Sequence, residues 1–399
     1  VRIQPFSIAT FSFFALVGPL QAQTFQAGNL SGDLVGKTAL EWNTNPTYSS
    51  RNQLNDVFWI TSLDVDSKWE FTKDNSLSFD LGAEYRDAFA HDELDSSNLH
   101  FSVFPNTRLE FLVRLSERVY LQVYDELNFY SDPTETTGVD PEGNVITDAL
   151  FYERVHNTAG AFLQWELSDF DTLTAGAVRT DINSFTAAYA NTELTAHTFS
   201  LNWQHLWNKR WSTQLVLSRY LNDYWEDLQN DSDGYGVSLV TTWKPSDYLT
   251  LVGDVGYQWR NFDRNGINGD RSDLSGMSWG LEAEHSVNEV FSYSLGYRDS
   301  VELGMISNYE RTHSIRWATT YTGFNRSTIT GRVGYEWSDD SGGFLAEEAE
   351  RLDAQLSMEY QLGPSLDLNL RYGYLRKWSN RLDREYEQQI VRAELSYTF

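Results

Sequence analysis

Cysteine is absent from the 399 residues and methionine occurs three times. Disulfide frameworks, cysteine-ligated zinc or iron–sulfur centres and thiol catalysis are thereby excluded together. Basic residues are also scarce: 30 Lys and Arg stand against 57 Asp and Glu, for a formal net charge of -27. A nucleic-acid partner is excluded with them, because such a protein needs a basic face to displace counterions from phosphate. Beyond residue 22 no run approaches the ~18 consecutive apolar residues of a membrane-spanning helix. The seven histidines are scattered, without HExxH spacing, and neither a GxSxG elbow nor a phosphate loop occurs. The sequence therefore indicates no enzyme, no cofactor and no metal ligand set. What it has in quantity is aromatic: Trp, Tyr and Phe make up 15% of the chain, far too much for a disordered acidic polymer.

Residues 1–22 combine a positive start at Arg2, an apolar stretch from Phe6 to Val17 and a small residue at Ala22. This pattern predicts a secretory signal peptide cut after Ala22, a short periplasmic segment over 23–33 and one structural unit over 34–399. From Leu34 onward the dominant signal is alternation with period two. Val391, Ala393, Leu395, Tyr397 and Phe399 share one face, while Arg392, Glu394, Ser396 and Thr398 share the other. The same split recurs over 77–86, 249–260, 352–360 and 366–374, which predicts amphipathic strands.

Breaks between strands are of two kinds. Tight ones, such as Lys73-Asp74-Asn75, Asn208-Lys209-Arg210 and Gly363-Pro364-Ser365, alternate with longer, mostly acidic ones. Eight tight breaks and nine long ones predict 18 strands with both ends on the short-turn side. Short turns at one end and long loops at the other describe a single all-β, antiparallel transmembrane barrel in an outer membrane, with periplasmic turns and extracellular loops. Lipid leaves no other option for strands, since an open edge in hydrocarbon forfeits several kcal/mol per backbone group. Tryptophans beside the breaks, including Trp59, Trp69, Trp165, Trp203, Trp211, Trp243, Trp259, Trp337 and Trp378, fit interfacial girdles.

If the apolar face meets lipid, the residues between face a lumen. Charges expected there are Asp80, Glu84, Arg86, Arg108, Glu110, Arg114, Glu126, Arg179, Asp254, Arg260, Glu282, Glu284, Arg298, Arg316, Arg332, Glu336, Asp353, Glu359, Arg371, Arg392 and Glu394. So many charges cannot sit in a dry core and suit a wet lumen, which an 18-stranded barrel is wide enough to hold; the competing reading of the same residues is an Arg–carboxylate ladder that braces the wall and nearly plugs it. Acidic candidates outnumber basic ones across the inward face, so a mild cation preference is expected.

The last segment, EQQIVRAELSYTF, with Leu395, Tyr397 and the terminal Phe399, resembles the C-terminal recognition strand of bacterial outer-membrane barrels. That resemblance implies the barrel-assembly machinery as a partner, alongside outer-membrane lipid and lipopolysaccharide. The strings LGAEYRDAF (81–89), LGYRDSVEL (295–303), GRVGYEWSD (331–339) and LRYGYLRKWS (370–379) resemble hairpins of porin-like β-barrel families found beside exopolysaccharide or exosortase loci. The resemblance implies a passive channel for hydrophilic solutes in the outer membrane of a Gram-negative-type cell; the alternative it carries is a barrel for exopolysaccharide export or assembly. In diffusion porins a long third loop commonly folds inward, so the resemblance implies a pore-narrowing role for the segment from Ser131 to Asp148, while its composition reads equally as an exposed, solvated loop.

Overall fold

The computed structural model describes residues 25–51, 53–102, 113–131, 138–139, 145–146, 152–304 and 306–399. The expected signal peptide, Arg108, Glu110 and most of the Ser131–Asp148 segment lie outside the described residues.

Eighteen wall strands follow one another around the sheet: β1 Leu30–Asn43, β2 Asp56–Thr72, β3 Asn75–Ala88, β4 in two pieces Ser96–Ser102 and Val113–Ser116, β5 Val119–Tyr130, β6 Arg154–Glu166, β7 Asp171–Ser184, β8 Leu194–Asn208, β9 Trp211–Tyr224, β10 Ser232–Ser246, β11 Leu249–Phe262, β12 Leu274–Asn288, β13 Phe291–Leu303, β14 Tyr309–Phe324, β15 Ser327–Asp340, β16 Glu348–Gln361, β17 Leu366–Ser379 and β18 Tyr386–Thr398. Each pairs antiparallel with the next. The last returns to the first, from Val35 opposite Thr398 to Asn43 opposite Ile390, so the sheet closes. The wall starts at Leu30, ahead of the expected Leu34, because Leu30 already pairs with Trp69.

Alternation sets the two faces. Leu40, Leu63, Leu81, Leu217, Leu281, Leu356 and Leu395 all lie exposed on the outside, as expected where the missing neighbour is lipid rather than protein. Trp59, Trp259 and Trp279 mark an upper belt on the extracellular side, and Trp69, Trp165, Trp203, Trp211 and Trp243 a lower one. Ladder irregularities fall at the tight turns, between Leu206 and Asn208, Trp243 and Ser246, and Ser286 and Asn288. Each inserts a residue where the chain must reverse sharply, the usual place for a bulge.

Candidate functional site

Cross-strand register decides which side chains line the interior. Asp80, Glu84, Arg86, Glu126, Asp254, Arg260, Glu282, Glu284, Arg298, Arg316, Arg332, Glu336, Asp353, Glu359, Arg371, Arg392 and Glu394 share the inner face. Arg114 shares it too, at the periplasmic rim beside Asp74, 3.5 Å away. Arg179 does not. It pairs with Ala159 and His197 on the outer face, and its guanidinium forks onto Asp181 at 2.7 and 2.8 Å. Leu173, Ala175 and Ala177 precede it on the same side, so parity overrides the expectation that a charge belongs inside. Its position near the extracellular strand end makes the outward charge cheap, since the penalty on the lipid face falls to about 0–1 kcal/mol near the interface.

The tightest charge cluster spans the closing seam. Glu41 of β1, almost fully buried, takes Arg86 at 2.7 Å, Arg371 at 3.3 Å and Arg392 at 3.7 Å, from three other strands. Arg392 also pairs with Glu394, and Arg86 lies over the Phe58 ring at 3.7 Å. Lys37 holds Asp64 at 2.9 Å one strand away. Glu41 and Lys37 are absent from the expected set although ALEWN alternates cleanly; reading Leu40 and Trp42 as outward would have placed Glu41 inside. Farther round, Arg298 meets Asp254 at 3.2 Å and Arg316 meets Glu336 at 3.7 Å, the Arg316 side chain remaining 62% exposed.

The interior is lopsided. From β7 to β10 the inward positions are mostly small or neutral, including Thr172, Thr174, Gly176, Thr198, Ser200, Asn202, Gln214, Ser218, Gly236 and Ser238, the one inward charge being Lys244 at the turn end of β10, which acts on Glu284. In an 18-stranded ring β10 stands across from β1. One wall therefore presents ion pairs and the opposite wall hydroxyls, amides and bare backbone.

Loops cover the inner wall at its extracellular end. Asn43, Phe58, Ile182, Leu194, Phe262 and Gln388 are all buried there. Short 3-10 turns provide part of the cover: Leu94 of Asp92–Leu94 packs on Ala39, Phe58, Ile60 and Ala88. On the far side, four loops knit around buried amides. Asn230 donates to the Asn308 side chain at 2.7 Å and to the Asp270 carbonyl at 2.8 Å. Asp270 accepts from the Asn308 N–H at 2.9 Å, the Ser341 hydroxyl at 2.5 Å and the Ser272 N–H at 2.8 Å. Burial pushes the Asp270 carboxyl up, but these donors outweigh it and hold the group below its ordinary value. At Asp231 burial wins and the carboxyl is raised, although the Tyr224 N–H offsets part of the shift. No group of metal-ligating side chains occurs among the described residues.

Leu395, Tyr397 and Phe399 lie exposed in a row on the outer face at the periplasmic end. The Phe399 N–H donates to the Leu34 carbonyl at 3.0 Å, and its ring lies close to Gly36, where a side chain would meet it at 3.2 Å.

No protein-family model and no characterised protein matches the sequence. Solved structures do match in shape. A BenF-like porin from Pseudomonas fluorescens Pf-5 superposes with a TM-score of 0.50 at 13% identity, covering 93% of this chain and 99% of that one. Pseudomonas aeruginosa OpdK, solved with vanillate, gives 0.49 at 14% identity over 93% and 98%. Acinetobacter baumannii OccAB4 gives 0.47 at 13% identity over 94% and 99%. The likeness to the BenF-like porin is one of fold: a closed barrel of this size, traversed from end to end.

Proposed function

We propose that this barrel is an outer-membrane, porin-like channel for passive passage of hydrophilic solutes. The observation that carries the reading is a closed 18-strand wall whose outer face is apolar between two tryptophan belts and whose inner face carries ion pairs and hydroxyls. An apolar outside requires lipid, and charges inside require water, so a hydrated path crosses the bilayer. The inward-packed loops narrow that path at the extracellular mouth, and the charged wall around Glu41 gives a polar solute its strongest contacts. The Leu395, Tyr397 and Phe399 row is read as the assembly signal for the barrel-assembly machinery, and the outer belt as the surface met by lipid and lipopolysaccharide.

Liposomes containing the purified chain are expected to swell with small sugars, at rates that fall as the sugar grows. A swelling rate equal to protein-free liposomes, with the barrel shown folded by its heat-dependent electrophoretic mobility, would remove the reading.

A further inference from the structure

One seam of the wall is unzipped in its upper part. The β12–β13 ladder runs up to Trp279 opposite Asp299 and stops. Both strands continue: β12 stays paired with β11 as far as Leu274 opposite Arg260, and β13 with β14 as far as Leu303 opposite Tyr309. At the closing seam the ladder also ends early, but there β1 itself ends and the Thr44 N–H carries the pairing on to the Gln389 carbonyl at 3.1 Å. Between β12 and β13 side chains replace the ladder. The Arg311 guanidinium reaches the Met277 carbonyl at 3.3 Å while clasping Asp299 at 3.0 and 2.6 Å.

The filling of the split crosses the wall. Phe262 and Leu274 belong to the inner face by register, Val301, Leu303 and Tyr309 to the outer face, yet the five pack as one apolar cluster. Such contact across a strand wall requires an opening in it. The Phe262 and Tyr309 rings approach to 6.3 Å between centroids. Trp279 and Tyr297, in tilted ring contact at 4.5 Å between centroids, form the floor of the split at the level of the upper belt, and Met277 and Trp279 are exposed outside it. The split thus rises from the upper edge of the hydrocarbon into the interfacial region, where open strand edges are tolerated and an alkyl chain can still reach the acyl layer below. On the lumen side, directly below it, stand Arg298 and Asp254.

We propose that the β12–β13 split is a side opening that takes a single-chain amphiphile, with its polar head in the lumen and its alkyl chain through the Phe262–Leu274–Val301 throat toward the outer leaflet. The order of surfaces selects that class of ligand. A sugar or an ion would have to shed its water in the apolar throat, and a purely apolar molecule would find nothing but water and charge behind it. Asp299 and Arg311 act as the latch, and the apolar cluster as the plug. The idea rests on the reading of the lumen as wet.

The test uses this chain in liposomes, with dodecanoate carrying a diazirine close to its carboxylate as probe, irradiation, and mapping of adducts by mass spectrometry. Adducts on the inner-face residues Phe262 and Leu274, competed by dodecanoate and not by acetate, are expected. Val301→Trp fills the throat and removes contacts worth about two methylene groups, so inner-face labelling is expected to fall about ten-fold. Arg311→Ala releases the latch and is expected to raise it. Labelling confined to outward residues, or unchanged by Val301→Trp in a barrel that keeps its heat-dependent mobility, overturns the side opening. Sugar-driven swelling of the same liposomes keeps the two ideas apart. Its absence defeats the channel and leaves throat labelling to stand or fall on the variants, whereas normal swelling with labelling insensitive to Val301→Trp defeats the opening alone.

Discussion

At the scale of single residues, burial decides what a charge does. Glu41 faces three guanidinium groups in a nearly closed space. Removing one partner from a buried ionic cluster leaves uncompensated charge, with a typical cost of about 3–5 kcal/mol. Glu41→Gln is therefore expected to lower the urea midpoint at which the folded electrophoretic form disappears, and an unchanged midpoint would show that the arginines are hydrated rather than braced. Asp270 makes the pH argument. Its folded carboxyl titrates below the ordinary aspartate value of about 3.9. Its stabilisation is thus fully present above that ordinary value and is lost as pH falls through the lower folded one. Hydrogen exchange at the Asn308 and Ser272 amides is expected to accelerate, relative to the intrinsic rate, only on that acid side. Arg179 shows the converse of Glu41: a charge identified correctly as present but assigned to the wrong face until its neighbours' parity is counted.

At the scale of strands, inward glycines make room for side chains of the next strand. The Tyr124 ring lies over Gly160, Phe162 over Gly176, the Asp353 carboxylate over Gly334, and Asp254 Oδ1 would stand 2.6 Å from a Cβ at Gly280. Large chains therefore lie along the wall instead of projecting into the lumen, a covering of bare glycine backbone familiar from sheet design. Gly280→Leu would drive Asp254 off the wall and away from Arg298. Overpacking of this kind costs about 1–3 kcal/mol, so a lower urea midpoint together with reduced single-channel conductance is expected; conductance equal to the parent's would show that the displaced carboxylate finds another place on the wall. These pairs cross between strands, so no local pattern announces them. The strands themselves are legible one at a time, since Leu77, Phe79, Leu81, Ala83 and Tyr85 alternate unmistakably with Ser78, Asp80, Gly82, Glu84 and Arg86.

At the scale of the whole molecule, the lumen has two electrostatically different walls, the ion-paired one around β1 and the charge-poor one from β7 to β10. Acidic groups still predominate on the inner face, the more so with Arg179 outside. Planar-bilayer reversal potentials across a salt gradient are expected to favour cations and to lose that preference as salt screens the wall. A preference for anions would mean that Arg86, Arg371 and Arg392 dominate the path despite Glu41.

Closure, strand number and the apolar outside were determined by the sequence alone, because period-two alternation, turn length and an acidic, cysteine-free composition are local properties that lipid and water sort without ambiguity. Which charges meet was decided only in three dimensions. Glu41 and Arg371 are brought together by ring closure, Asn230 and Asn308 by loops folding over the rim, and Phe262 and Val301 by a seam that stops short. Each of those meetings depends on the register between strands or on the path of a loop, and neither is written in the spacing of residues along one strand.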